Sequence, residues 1–301
     1  MIATARNSIE AGYAQRPSTP QAAAAWCKRY ARRHAENFTV VSWFLPKRLR
    51  SAMYVVYAFC RFTDDLGDQE PGDRLALLDE WERDLRRGFD GQGQHPITLA
   101  LGEAAGRYPL TIEPFQRLIE ANRRDQRQHR YETFQDLLHY CDDSANPVGH
   151  MVLALFGYTD AYRRALSDAT CTALQLANHW QDVARDYARG RLYLPLEDLR
   201  RFQVEETQIA ARRGDANFRA LLRFEVDRAE ALFRQGRPLV DLVERDLRID
   251  LRLFSDGGRD VLRAIEAQRY DMLSRRPTVS AARKAWLTLR ALAALRWGGA
   301  A

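Results

Sequence analysis

Lysine, cysteine and long apolar runs are scarce in this sequence of 301 residues. Only three of its 46 basic residues are lysine, so arginine supplies most of the cations behind the net charge of +6. Four cysteines are too few for a disulfide framework in a chain of this size, and no two form a C-x-x-C pair. No run approaches the roughly 18 apolar residues that span a bilayer, and residues 1–20 lack the apolar region of a secretory signal. These absences favour a protein of the reducing cytoplasm over a secreted or membrane-spanning one.

The pattern of apolar residues predicts helices throughout the chain. From Pro20 onward these residues recur at helical spacing, and alternating β-branched stretches bounded by turn signals are almost absent. Proline and glycine punctuate the pattern at short intervals, without a long linker or an internal repeat. We therefore expect an all-α protein with a flexible N-terminal arm over residues 1–20 and a single domain over residues 21–301.

An acidic segment interrupts the first long apolar helix. At about 100° per residue, Arg61, Asp64 and Asp68 share one face of this helix, and Asp65 lies at its margin. Neighbouring carboxylates repel each other, and Gly67 adds a helix penalty of about 1 kcal/mol. Such local costs favour a site where a bound cation offsets the repulsion. The alternative is a helix end whose acidic side chains face solvent.

A second predicted helix carries another face of oxygen ligands. Asn178, Asp182 and Asp186 follow one another at intervals of four, Gln175 stands three residues earlier, and the helix should end near Gly190. Oxygen ligands without clustered cysteine or histidine suit Mg²⁺ better than Zn²⁺. Because Mg²⁺ takes one or two carboxylates together with waters and phosphate oxygens, a diphosphate substrate bridged by Mg²⁺ is expected. Each spacing alone is common by chance, and it is their pairing that is informative.

These segments carry a family resemblance. The chain reads Y-A-F-C-R-x-x-D-D-x-x-D from Tyr57, Q-x-x-N-x-x-x-D-x-x-x-D from Gln175 and R-x-Y-L-P from Arg191. From about residue 26 onward, this combination resembles the squalene/phytoene synthase family of head-to-head prenyl-diphosphate enzymes. The resemblance implies an all-α isoprenoid-synthase fold with a central cavity. It also implies that the cofactor Mg²⁺ is bound by six residues of the two acidic segments: Asp64, Asp65, Asp68, Asn178, Asp182 and Asp186.

Departures from the common family pattern indicate a branch. Gln181 stands where related carotenoid-forming and eukaryotic squalene-forming enzymes usually have arginine, Asn146 where they usually have glycine, and Asn37 where they usually have serine. The phrases around Asn146 and Gln181 resemble the bacterial hopanoid-pathway branch of HpnC type. That branch is similar to hydroxysqualene synthases, which ionise presqualene diphosphate and trap the rearranged cation with water. The resemblance therefore implies pathway partner enzymes that supply presqualene diphosphate and reduce hydroxysqualene.

The mechanism implied by this resemblance suggests roles for further residues. Aromatic faces stabilise a carbocation, and the candidates are Phe38, Tyr57 and Tyr140, with core packing as the alternative for each. Asn146 is the candidate for orienting the captured water, although an asparagine before proline also favours a turn. Matches to the family and shared helix faces give the substrate-binding candidates, which are His34, Asn37, Phe38, Arg61, Asp125, Gln175 and Arg191.

Three other functions remain open from the sequence. The close rival is head-to-head condensation of two farnesyl diphosphates to presqualene diphosphate or squalene. A head-to-tail elongating synthase is disfavoured, because its second acidic motif should read D-D-x-x-D. The third function is that of a basic helical module that binds nucleic acid or an anionic membrane. The basic run 123–130 is the place to look for nucleic-acid binding, but it lacks interleaved aromatic residues and zinc spacing, so no nucleic-acid partner is expected.

The C-terminal segment 284–297 bears on localisation. It is amphipathic and carries cations and tryptophans, a pattern that suits peripheral contact with the inner surface of a membrane. The alternative is a last helix packed on the core, and this alternative is the favoured one. The expected location is therefore the cytoplasm, with peripheral membrane contact as the second option.

Overall fold

The computed structural model describes residues 8–15, 17, 19–34, 45–68 and 70–277. Every regular element in these ranges is a helix, which confirms the all-α prediction. Contacts divide the chain into two compact units, unit 1 with residues 1–127 and 147–160, and unit 2 with the remainder. Each unit is described by itself. The single domain predicted for residues 21–301 stays a prediction.

Unit 1 is built mainly from helices that punctuation residues delimit. The Asp73 side chain caps one helix by accepting a hydrogen bond from the Ala76 amide, and Pro96 opens another, where no amide donor is needed. The helices are α1 (Ser8–Ala14), α2 (Pro20–His34), α3 (Lys47–Asp68), α4 (Arg74–Phe89), α5 (Pro96–Ala105), α6 (Glu113–Arg124) and α8 (Asn146–Leu155), of which Asn146 itself is counted with unit 2.

The core of unit 1 packs around α3. Phe59 and Phe62 lie against the buried indole of Trp81, with ring centroids 5.4 and 4.7 Å apart respectively. The Trp81 indole donates a hydrogen bond of 2.9 Å to the Thr63 hydroxyl, so its polar atom is satisfied inside the core. Ile9 of α1 is also buried, within the segment predicted to be a flexible arm. The flexibility of that arm stays a prediction.

Unit 2 is built around the 28-residue helix that carries the second acidic segment. This helix contacts both long helices that follow it. Gly258 lets those two following helices approach each other closely, because an added Cβ would lie 2.5 Å from the Phe233 ring. The elements are α7 (Phe134–Ser144), α9 (Ala161–Ala188), α10 (Leu196–Arg201), α11 (Glu206–Ala210), α12 (Ala216–Gly236), a 3₁₀ helix (Arg237–Asp241) and α13 (Arg245–Ala267).

Within the described ranges, none of the helices combines the length and the apolar character needed to cross a membrane. The amphipathic segment 284–297 and the candidates Asn37 and Phe38 lie outside the described residues. The predictions made for them stay predictions.

Candidate active site

In the first acidic segment, Asp65 is held by two neighbouring side chains. The Tyr30 hydroxyl of α2 donates to one carboxylate oxygen at 2.8 Å, and the Arg61 guanidinium donates to the other at 2.5 Å. Asp65 is half-buried, and the charge of Arg61 offsets its own. These contacts fix one end of the acidic face.

Asp64 has a different environment from its neighbour. Its side chain is open to solvent, and the Asn122 amide donates to it at the long distance of 3.5 Å. The surrounding protein nevertheless displaces enough water to raise the pKa of Asp64 to about 7, an effect that desolvation dominates and that the charge of Asp68 reinforces. A cation at this carboxylate would favour its ionised form.

Gly67 accounts for the close approach of α6 to this segment. An added Cβ at Gly67 would lie 2.2 Å from the Asn122 side-chain oxygen, so only glycine leaves room for Asn122 beside Asp64. Gln126 adds a hydrogen bond of 2.9 Å to the Gly67 carbonyl oxygen. The sequence reasoning missed Asn122 and Gln126. The unfavourable glycine in an apolar helix was the signal that a neighbour approaches there.

Four further candidates lie in or beside the helices of unit 1. The Tyr57 hydroxyl donates to the backbone carbonyl of His34 at 3.2 Å, which joins α3 to the end of α2, and burial raises the pKa of Tyr57. Asp68 is exposed at the last residue of α3, and the half-buried Asp125 directly follows α6. Tyr57 and Asp68 therefore lie on α3, which carries the acidic segment. His34 ends α2, which contacts that segment through Tyr30.

The second acidic segment lies on α9, where Arg276 neutralises Asp182. The guanidinium binds both carboxylate oxygens, with Nε 2.5 Å from Oδ1 and Nη2 3.0 Å from Oδ2. Arg276 also donates to the side-chain oxygen of Gln181 at 3.2 Å, and the Gln181 amide donates to the Pro277 carbonyl at 2.7 Å. The hydrogen bond that Arg276 donates to Asp182 raises the pKa of the guanidinium.

Arg276 was missed because 94 residues separate it from Asp182. Gln181 stands where related enzymes usually have arginine, so a cation is missing from the sequence at this position. In the structure, Arg276 places its guanidinium against the Gln181 side chain. The arginine-rich end of the described chain was a weak signal, since so many surface positions carry arginine. A bidentate contact of this kind can be recognised only in three dimensions.

The remaining residues of the segment occupy successive turns of α9. Gln175 is half-buried, Asn178 is exposed, and Asp186 has an oxygen 4.0 Å from Nδ1 of His179. The backbone amide of Arg191 donates to the Asp186 carbonyl at 2.9 Å across the turn at Gly190, which has a φ of +85°. The chain reversal therefore brings the half-buried Arg191 back to the end of the acidic face.

Tyr140 lies in a buried cluster of aromatic rings in unit 2. Its ring centroid is 5.3 Å from that of Tyr131 and 5.6 Å from that of Tyr193. Tyr193 in turn stacks on His179 with centroids 3.7 Å apart, so the cluster reaches the helix of the second acidic segment. The ring of Tyr140 is 3% exposed, so core packing is a complete explanation for its position in unit 2.

Asn146 is buried, and both ends of its amide are engaged. The nitrogen donates to Asp142 at 2.9 Å, and the oxygen accepts from the Thr172 hydroxyl at 3.0 Å. Asn146 is also the first residue of α8, directly after a break at Ala145. The predicted turn-forming role is therefore compatible with its position. A water-orienting role would use the second lone pair of the oxygen or the second proton of the nitrogen.

Two carboxylate-bound arginines account for much of the basic run 123–130. Arg123 contacts Asp79 and Glu82, each at 2.7 Å, and Arg130 contacts Glu206 at 2.8 Å. The pairs of Arg123 join α6 to α4, and the pair of Arg130 joins the segment before α7 to α11. They favour a scaffold role for the run over a nucleic-acid interface.

The donor chemistry of both acidic segments fits Mg²⁺. In the described part of the chain, no three histidine, cysteine or acidic side chains already converge as a metal site. Mg²⁺ does not require such a cage, because it keeps waters and binds through one or two carboxylates and substrate phosphates. Asp64 suits this role better than Asp65, which Tyr30 and Arg61 already engage. Beside Asp182, a cavity of about 420 Å³ also offers the guanidinium groups of Arg185 and Arg189.

Comparisons with known proteins identify the family. The squalene/phytoene synthase model matches residues 31–283. The chain is 35% identical to 15-cis-phytoene synthase of Synechococcus elongatus over 86% of its own length and 88% of that protein. Among solved structures, squalene synthase HpnC from Alicyclobacillus acidocaldarius is 49% identical with a TM-score of 0.82, covering 86% of this chain and 98% of that one. A dehydrosqualene synthase solved in complex with a ligand is 30% identical with a TM-score of 0.84, covering 92% and 98%. The chain belongs to the squalene/phytoene synthase family, whose members process prenyl diphosphates.

Proposed function

We propose that this protein converts presqualene diphosphate to hydroxysqualene and diphosphate in the presence of Mg²⁺. The observation that favours this branch is the 49% identity to the squalene synthase HpnC, compared with 35% to the phytoene synthase of Synechococcus. The phrases around Asn146 and Gln181, which resemble the hopanoid-pathway branch, point the same way.

The proposed reaction separates charge and then captures water. The carbon–oxygen bond to the diphosphate breaks, and its electron pair leaves with the diphosphate. Water adds to the rearranged carbocation and loses one proton, which gives the alcohol. Bound Mg²⁺ would supply Lewis-acid stabilisation of the leaving oxygens.

The residues of the chain have distinct roles in this proposal. Asp64, Asp68, Asn178, Asp182 and Asp186 hold the metal ions, and Asp65 completes the first segment while orienting Arg61. Arginine binds phosphate oxygens with paired donors, and this is the role we assign to Arg61, Arg191 and Arg276. His34, Asn37, Asp125 and Gln175 complete the substrate contacts.

The carbocation needs a surface that stabilises charge without providing a nucleophile. We assign this role to the rings of Phe38, Tyr57 and Tyr140, since the face of an aromatic ring attracts a cation. Asn146 orients the captured water through the hydrogen-bonding capacity that Asp142 and Thr172 leave unused.

A second candidate is head-to-head condensation of two prenyl diphosphates. The observation that favours it is the likeness to 15-cis-phytoene synthase along 86% of the chain. For this chain we would test two farnesyl diphosphates as substrates, with presqualene diphosphate or squalene as the product.

One assay distinguishes the two reactions. The full-length protein is incubated with Mg²⁺ and either presqualene diphosphate or farnesyl diphosphate, and extracted products are identified by mass spectrometry. Hydroxysqualene formed from presqualene diphosphate, with no turnover of farnesyl diphosphate, would support the first proposal. Turnover of farnesyl diphosphate would instead establish condensation. If neither substrate reacts with or without Mg²⁺, both proposals are wrong.

A further inference from the structure

Unit 1 contains a basic groove of about 810 Å³ whose described lining includes none of the residues assigned to the reaction. Its walls come from α2, the first two turns of α3 and the end of α5. The Tyr108 hydroxyl donates to the backbone carbonyl of Arg48 at 2.8 Å, so the two ends of the groove wall are tied together. The basic lining residues are Lys28, Arg32, Lys47, Arg48, Arg50 and Arg107.

Positive charge is concentrated in this groove. Among the described residues that line it, the one acidic side chain is Glu103, which forms an ion pair with Arg107. Lys28, Arg32 and Lys47 are exposed and form no ion pair within the described part of the chain. The groove therefore has an excess of cations, although acidic residues are nearly as numerous as basic ones in the whole sequence.

The start of α3 adds to the positive charge of the groove. The amino end of a helix carries a partial positive charge and attracts anions. The first turn of α3 has no acidic residue and carries the exposed Lys47. An anion in the groove would be attracted by this lysine and by the helix end together.

The floor of the groove is apolar, and this restricts the kinds of molecule that the groove can bind. Ala31, Ala52, Val55, Ala100 and Ala104 are each less than 10% exposed and line it beneath the basic rim. An apolar floor offers nothing to a free inorganic anion or to the polar backbone of an acidic peptide. It does suit a molecule that joins an anionic phosphate to a hydrocarbon part.

From these observations we propose that the basic groove binds the phosphate headgroup of an anionic membrane lipid. The arginine and lysine side chains contact the phosphate, and the adjoining glycerol and upper acyl carbons lie on the alanine floor. Cations near an anionic surface are attracted to it and salt screens the attraction, so binding should be reversible and dependent on ionic strength. The proposal uses no residue of segment 284–297 and does not depend on which prenyl diphosphate reacts.

Helix α2 offers a matched pair of variants to test the proposal. Lys28→Glu/Arg32→Glu reverses two charges inside the groove, whereas Arg29→Glu/Arg33→Glu reverses two exposed charges that do not line it. Both variants change the net charge equally and leave the rest of the chain intact. Each full-length protein is mixed with vesicles of phosphatidylcholine alone or of equal parts phosphatidylcholine and phosphatidylglycerol, and the sedimented fraction is measured.

We expect wild type to bind the phosphatidylglycerol vesicles and not those of phosphatidylcholine alone. The groove variant should bind at least about tenfold more weakly, and the control variant within about twofold of wild type. If both variants lose vesicle binding equally, net charge explains the effect and the proposal is wrong. The proposal is also wrong if wild type does not bind the vesicles. It is wrong as well if calorimetry shows that inorganic diphosphate binds in the groove while vesicles do not bind. Circular dichroism checks that both variants fold, and turnover in detergent tests the proposed reaction independently.

Discussion

Both acidic segments place carboxylates along a helix, but these carboxylates are neutralised in different ways. In α3, Arg61 and Tyr30 engage Asp65 and leave Asp64 with a raised pKa. In α9, Arg276 binds both oxygens of Asp182. At Asp64 a metal ion would meet a carboxylate without a bound guanidinium, and at Asp182 it would have to displace or share one. An acidic helix face therefore does not by itself determine how readily a cation binds there.

The largest expected effect comes from removing the uncompensated carboxylate. We predict that Asp64→Asn lowers turnover by about three orders of magnitude, because one Lewis-acid contact to the leaving group is lost. The melting temperature should stay equal or rise, because the desolvation cost of the carboxylate also disappears. Steady-state kinetics and thermal unfolding measure the two effects.

The matched control for this variant is Asp90→Asn, at the exposed residue that follows α4. It should change turnover by less than about twofold, as expected for a surface substitution without a special role. Retained turnover in Asp64→Asn, or a loss caused by unfolding, would remove the contrast between the two segments.

The second prediction concerns the guanidinium of the other segment. Arg276→Gln frees Asp182, so we expect Mg²⁺ to bind the substrate-free protein about tenfold more tightly. The free energy of unfolding without metal should fall by no more than about 1 kcal/mol, since half of the Arg276 side chain is exposed and solvent screens the pair. Calorimetric titration with Mg²⁺ and denaturant unfolding provide the measurements.

Arg189→Gln serves as the control, because Arg189 lines the same cavity but is not among the residues that bind Asp182. Its Mg²⁺ affinity should stay within about twofold of wild type. Unchanged affinity in Arg276→Gln would show that the guanidinium does not compete with the metal ion.

A smaller effect is expected at Asn146. Replacement by glycine removes hydrogen bonds to Asp142 and Thr172 and deprives the captured water of its partner. We predict an alcohol yield about fivefold lower, which corresponds to roughly 1 kcal/mol for one lost hydrogen bond. Thr172→Val removes one of the two protein contacts while leaving the asparagine in place, and it should retain most of the alcohol. Unchanged products from Asn146→Gly, measured by mass spectrometry, would contradict the water-orienting role.

The smallest effect on turnover is expected at Asp250, a second carboxylate with a raised pKa. Asp250 is 2% exposed, and neither of its oxygens hydrogen-bonds to another described residue. Burial, helped by the charge of Asp246, raises its pKa to about 8. Unlike Asp64, it has no solvent-open side chain through which a cation could reach it. Asp250→Asn should therefore leave turnover within about twofold of wild type.

The pH dependence of stability tests this carboxylate directly. The folded protein holds the Asp250 proton up to about pH 8, whereas the unfolded chain releases it near pH 4, so wild type loses stability as the pH rises through this range. Between about pH 5 and pH 8 the loss should be on the order of 1–4 kcal/mol, and Asp250→Asn should flatten it. Denaturant unfolding at several pH values measures both slopes. Parallel slopes for the two proteins would mean that Asp250 is ionised in the folded state.

Local signals in the sequence predicted the helices well and their partners poorly. The helix end expected near Gly190 matches the structure, because glycine acts through its own backbone geometry. The break at Ala145 also has a local signal, because Asn146 stands before a proline and this pair favours a turn. The spacing on α3 and α9 located both acidic faces for the same local reason.

The contacts that distinguish the two faces could not be predicted in this way. Arg276 reaches Asp182 from 94 residues away, and Asn122 reaches Asp64 from 58 residues away. Helical periodicity orders residues around one axis but contains no information about which distant helix packs there. Gly67, which is unfavourable inside a helix, was the local feature of the sequence that indicated a close contact there.

Because lysine is scarce in this sequence, the basic groove can be labelled selectively. Of the three lysines in the chain, Lys28 and Lys47 line this groove, and Lys284 lies outside the described residues. An amine-selective acylating reagent, which passes over arginine, would thus mark the groove among the side chains of unit 1. Protection of these two amines by anionic vesicles would report occupancy of the groove in the unmodified sequence, residue by residue.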